Sequence, residues 1–82
     1  MKLIPLGPNC NEVQFSRGQV LFSYKTPVAV SLDEQIDGHA VGVYRTSEKF
    51  SNTTTKHINQ WTATTRYLDQ ETIEALAEKL GT

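Results

Sequence analysis

The sequence predicts a small α+β domain: an antiparallel meander sheet of three to four strands, with two helices at about 53–61 and 70–80 packed on one face. Three observations carry that prediction. Residues 12–16 and 20–32 alternate apolar and polar side chains in the period of a strand with one buried face. Asp37-Gly38 is a strong two-residue hairpin turn. Ile73, Leu76, Ala77 and Leu80 recur at helical spacing behind Asp69, a good N-cap residue. A chain of 82 residues has room for one core and one domain.

Taken in order, residues 2–6 read as a short strand ended by the turn cluster Gly7-Pro8-Asn9. Residues 12–16 place Val13 and Phe15 on one face, and Arg17-Gly18 supplies a tight connection with Gly18 free to adopt positive φ. Residues 20–32, VLFSYKTPVAVSL, are the most β-like run. Val20, Phe22 and Tyr24 share a face there, and Val28, Val30 and Leu32 continue the same parity. Pro27 cannot donate to a ladder, so it marks an edge, a bulge or a break near Thr26. Residues 39–46 form the strand after the Asp37-Gly38 turn. Residues 53–61 make a short helix capped by Asn52 or Thr53, residues 62–65 a connector, and residues 70–80 a helix stopped by Gly81.

The formal net charge of −1 argues against a broad basic footprint for nucleic acid. Charge is nevertheless uneven. Residues 1–66 hold seven Lys or Arg against five Asp or Glu, whereas residues 67–82 hold Asp69, Glu71, Glu74 and Glu78 against Lys79 alone. Cys10 is the only cysteine, which rules out an intrachain disulfide and makes the cytoplasm the expected compartment. The N-terminal run is broken by Pro5, Gly7 and Pro8, too short for a signal core or a membrane span. Dimerisation would help so small a domain bury more surface, and the sequence leaves it open.

Four candidate surfaces follow. Residues 44–61, YRTSEKFSNTTTKHINQW, are dense in short polar side chains. A helix starting there, with Arg45, Thr54, Thr55, Lys56 and His57, has the groups to hold a phosphate or nucleotide. The glycine-rich signature of a phosphate loop is absent, and a capped helix facing water explains the same residues. His57 could act as a general base, but no acidic residue stands at i±3 or i±4 to orient it. Cys10 could act as a nucleophile only if the fold brought a histidine to it. Two histidines without H-x₃-H spacing make a poor metal set, so no metal and no cofactor are expected. The aromatic residues Phe15, Phe22, Tyr24, Tyr44, Phe50, Trp61 and Tyr67, beside Arg17, Lys25 and Arg45, could stack single-stranded bases, although a domain this small needs most of its rings for the core. Finally, a sheet edge near Pro27 and the acidic helix face Glu71, Glu74 and Glu78 could each meet a protein partner.

The segments FSYKTPVAV (22–30), YRT (44–46) and TTKHIN-x-W (54–61) resemble small, uncharacterised proteins carried by bacteriophages and related mobile elements. The resemblance covers about half the chain, residues 20–61, and brings no reaction, cofactor or catalytic residue with it. It implies an accessory protein inside an infected bacterial cell. The leading expectation is therefore a non-enzymatic protein that binds a host or phage protein. The alternatives are a nucleotide or phosphate binder at Arg45 and Thr54–His57, and single-stranded nucleic-acid binding.

Overall fold

Two-residue turns set the architecture. In the computed structural model, which describes residues 1–82, four consecutive strands are joined by loops of Pro8-Asn9, Ser16-Arg17 and Tyr24-Lys25. The strands are β1 (Lys2–Gly7), β2 (Cys10–Phe15), β3 (Gly18–Ser23) and β4 (Thr26–Leu32). Strand β5 (Gly42–Thr46) follows, then helix α1 (Asn52–Trp61), strand β6 (Tyr67–Leu68) and helix α2 (Gln70–Leu80). The sheet runs β1-β2-β3-β4-β5-β6 in chain order, antiparallel throughout except for the parallel β5–β6 pair.

The α+β class and both helices stand, but the sheet is larger than expected and mixed. Two misread segments account for the difference. The run 20–32 is a hairpin rather than one strand, because Tyr24 (φ 51°) and Lys25 (φ 70°) both take left-handed backbone in a type I′-like turn. Residues 67–68 add a short parallel strand, with Arg45 N donating to Arg66 O and Ser47 N to Leu68 O.

The helices lie on opposite faces of the sheet, not on one. Neighbouring residues of β3 show this directly, since successive side chains of a strand point to opposite faces. Val20 packs with Val30, Leu32, Ile36, Tyr44 and the α2 residues Ile73, Leu76 and Leu80. Leu21 packs with Cys10, Val28, Ala29 and the α1 residue Ile58, with Trp61 at the margin. Helix α2 lies across β3, β4 and β5, and α1 sits over β3 from the other side. Each fully buried aliphatic side chain contributes about 1.5–3 kcal/mol on this accounting, so neither face is dispensable.

Pro27 is not at an edge. It lies in an internal strand at a β-bulge, where Leu21 pairs with Ala29 and Phe22 with Pro27, leaving Val28 as the extra residue. The bulge breaks the expected parity: Val28 joins the α1 side while Val30 and Leu32 stay on the α2 side. Gln70 Nε2 at the start of α2 donates to Pro27 O at 2.8 Å and covers the irregularity. Gly18 opens β3 without positive φ. It is small because a Cβ there would run into Ser31 O and Leu80 Cδ2, where the sheet and α2 come closest. Asp37-Gly38 does form a tight turn, but it closes only an Ile36–His39 bridge, and β5 starts at Gly42 rather than residue 39.

Ser51, one residue before the expected caps, caps α1 by accepting from Thr54 N at 3.1 Å. Asp69 caps α2 by accepting from Thr72 N at 2.8 Å. Hydrogen bonding from the Thr72 side chain and backbone N–H holds its carboxyl below the ordinary aspartate value. No helix is long and apolar enough to cross a membrane.

Candidate functional site

The polar segment 44–61 divides between the two flanks of α1. Arg45 projects from β5 to the side of α1 that carries Asn59: Nη1 donates to Asn59 Oδ1 at 2.8 Å, and the guanidinium lies 5.3 Å from the centre of the Tyr67 ring. Lys56 and His57 lie on the other flank, against Leu6 and the β1–β2 turn. Thr54 and Thr55 are committed to local bonds. Thr54 is buried and bonded to Ser23, while Thr55 Oγ1 donates back to Ser51 O at 3.0 Å. The structure therefore brings Lys56 and His57 together, buries Thr54 beneath His57, and separates both from Arg45 and Thr55.

Beneath His57 runs a chain of hydroxyls that joins Ser51 and Thr54 of the polar segment to Ser23 of β3. Ser51 Oγ accepts the Thr54 N–H and donates to Thr54 Oγ1 at 3.2 Å. Thr54 Oγ1 stands 3.0 Å from Ser23 Oγ, which stands 2.8 Å from His57 Nδ1. One arrangement uses every hydroxyl proton of the chain: Thr54 donates to Ser23, Ser23 donates to His57 Nδ1, and the imidazole proton then stands on Nε2. Ser23 was missed because a serine in the middle of an apolar run carries no mark of its partner 34 residues away.

This Ser–His contact has the length of a nucleophile–base pair but not the access. Ser23 is 2 % exposed beneath α1, where no substrate carbonyl can reach it. Cys10, opposite Ser23 in the β2–β3 ladder, does share a cleft with His57. Burial pushes its thiol above the ordinary value, so it packs as a small apolar group against Leu21 and Ile58.

The cleft lies between the β1–β2 hairpin and α1. One lobe, of about 280 Å³, is lined by Leu6, Cys10, His57, Gln60 and Trp61. A second, of about 210 Å³, shares Leu6, Cys10, His57 and Gln60 and adds Thr53 and Lys56. Leu6 reaches it because a register shift between Pro5 and Gly7 makes it the extra residue of β1. Trp61 is fixed at the end of the cleft by Nε1, which donates to Glu12 Oε1 at 2.9 Å. No three His, Cys, Asp or Glu residues converge on a point where a metal ion could sit.

The other candidate surfaces are on the far side. Glu71, Glu74 and Glu78 are exposed along α2, with Glu74 Oε2 accepting from Gln70 Nε2 at 3.1 Å. A hollow of about 320 Å³ beside Glu78 is bridged by Lys79 and Asp37, 4.0 Å apart. Helix α2 leaves the β1–β2 half of its face open, where Leu3 (60 % exposed), Val13 and Phe22 form an apolar floor edged by Asn11 and Lys25. The aromatic rings do not gather on one surface: Tyr44 is in the core, Tyr24 is in a turn, Phe50 precedes α1 and Tyr67 is at the β6 edge.

No curated protein and no solved structure is significantly similar to this sequence. One family model matches residues 1–75, from β1 into α2. With nearly the whole chain matched, the protein belongs to that family, DUF8033, a family of unknown function.

Proposed function

We propose that the chain is a non-enzymatic accessory protein of the phage type that binds a host or phage protein in the bacterial cytoplasm. The observation that carries the binding role is the open half of the sheet on the α2 side. Leu3, Val13 and Phe22 lie side by side there, next to the unpaired edge of β1; Phe22 adjoins the α2 core, while Leu3 is exposed. Apolar side chains grouped beside an unpaired strand edge support a binding role for this face. The flank of α2 that borders it carries Glu74 and Gly81, the latter against Phe15. The surface thus suits a partner with an apolar segment and a basic residue to meet Glu74. The resemblance of residues 20–61 to phage accessory proteins supplies the cellular context.

Leu3→Glu tests the reading, because Leu3 is exposed enough for the change to leave the fold intact. The tagged variant should lose the protein that the unchanged chain captures from bacterial lysate, at an unchanged melting temperature. Glu74→Lys with Glu78→Lys should weaken the same capture. Full capture by Leu3→Glu would remove this face from the interface. A dimer in sedimentation equilibrium that Leu3→Glu dissociates would instead give the face to a second copy of the chain.

A second reading, a nucleotide or phosphate ligand, is favoured by one observation: Lys56 and His57 share the α1 cleft with Gln60 and Thr53. On this reading the site comprises those residues, without Arg45, Thr54 or Thr55.

A further inference from the structure

The two lobes of the α1 cleft differ in chemistry, and the difference specifies a ligand. The lobe beside the Gly7-Pro8 turn is lined by Lys56 and Thr53. The lobe at the other end of α1 holds the Trp61 ring and no charge. Cys10, His57, Gln60 and Leu6 belong to both. Neither lobe contains a carboxylate, and the nearest, Glu12, is turned to the Trp61 indole. The cleft offers donors to an anion: the Lys56 ammonium, the Gln60 amide and, with Nδ1 accepting from Ser23, the His57 Nε2–H. Because Nδ1 is tied to buried Ser23, the ring is held in one orientation instead of following solvent.

We propose that this cleft binds an aryl anion: a small molecule with one phosphate or carboxylate group attached to a flat ring. The proposal rests on the small-ligand reading and gives it a substrate class. The anionic head meets Lys56, with His57 Nε2–H and the Gln60 amide donating to its oxygens. The ring lies toward Trp61, over Leu6 and the Cys10 side of the floor. Residues 56 and 61 are five apart on the helix, so their backbone positions are roughly 7–8 Å apart along its axis. The long, flexible Lys56 side chain can cover part of that distance to meet an acid group carried on the ring. An isolated inorganic phosphate would satisfy the donors but leave the Trp61 lobe empty, so the ring is what distinguishes the expected ligand.

Trp61 is the only tryptophan and lies in the cleft, so its fluorescence reports occupancy directly. The experiment titrates the full chain with phenyl phosphate, benzoate and inorganic phosphate. Saturable change in Trp61 emission with phenyl phosphate or benzoate is expected, and the stronger of the two identifies the head group. Lys56→Ala should weaken that binding about tenfold or more, while Arg45→Ala, on the far flank of α1, should leave it unchanged. His57→Gln keeps a side-chain donor but loses the imidazole held by Ser23, and should weaken binding with little change in melting temperature. Isothermal calorimetry of the same variants guards against a fluorescence change caused by unfolding. No saturable binding of either aryl anion would overturn the proposal. So would equal binding by Lys56→Ala. Inorganic phosphate binding as tightly as phenyl phosphate would overturn the aryl requirement while leaving an anion site in place.

Discussion

Asp69 shows how much of a helix can rest on one side chain. Its carboxylate accepts from the Thr72 side chain and from Thr72 N, and both bonds favour the charged form. A carboxyl whose folded value is depressed stabilises the fold fully above its unfolded value, and that stabilisation disappears as pH falls through the lower folded value. Asp69→Asn keeps a capping oxygen but cannot ionise. The unchanged chain should therefore melt higher than Asp69→Asn near pH 7, and the two curves should converge in acid, below the ordinary aspartate value of 3.8. Melts recorded by circular dichroism across that range check the sign. A difference that persisted to about pH 2 would place the effect elsewhere. Asp69 was legible in the sequence because capping is local. The hydroxyl relay below His57 was not, because Ser23 and Thr54 meet only once α1 has been laid over β3.

Among the elements, the β3–β4 hairpin is held in its geometry against local preference. A two-residue loop between twisted strands requires positive φ at both positions, the demand that Asn-Gly normally meets. Here Tyr24 and Lys25 meet it instead, each at a cost of about 1–2 kcal/mol for an L-residue in left-handed backbone. The flanking pairs Ser23–Thr26 and Phe22–Pro27 impose the turn. Lys25→Gly should therefore stabilise the domain by roughly 1 kcal/mol in urea titration, despite the greater freedom it gives the unfolded chain. A destabilised variant would show that the Lys25 side chain contributes more than its backbone costs. Sequence reasoning merged β3 and β4 for the same reason: no turn residue marks the loop. Pro27 did announce a disturbance, and of the three forms it allowed, the ladder took the bulge.

At the scale of the whole molecule, the six-stranded sheet of this 82-residue chain is too wide for either helix to cover. The fold answers by placing α1 and α2 on opposite faces, each over the middle of the sheet, so that Val20 and Leu21 serve two separate cores. That separation has a measurable consequence. Ile58→Val thins the α1 core and Ile73→Val the α2 core, each costing about 0.5–1.5 kcal/mol. With the sheet between them and no shared neighbours, the double variant should lose the sum of the two within about 0.5 kcal/mol. A larger coupling would mean that the two cores communicate through the sheet. The same width leaves the β1–β2 ends bare on one side and hollow on the other, and these are the two surfaces where binding is proposed.

By itself the sequence determined the α+β class, the positions of both helices, the caps and stripe of α2, the strand character of residues 2–6, 12–16 and 20–32, and the acidic face of Glu71, Glu74 and Glu78. Each of these rests on periodicity or on contacts between near neighbours, which sequence spacing encodes. Only the tertiary structure decided which face each helix covers, that β3 and β4 are separate, that β6 joins the sheet in parallel, and that Arg45 turns away from Lys56 to Asn59. Those outcomes depend on register, on one bulge at Val28 and on which flank of α1 meets which strand. A shift of a single residue in a strand sends a side chain to the other face of the sheet, and no local pattern records it.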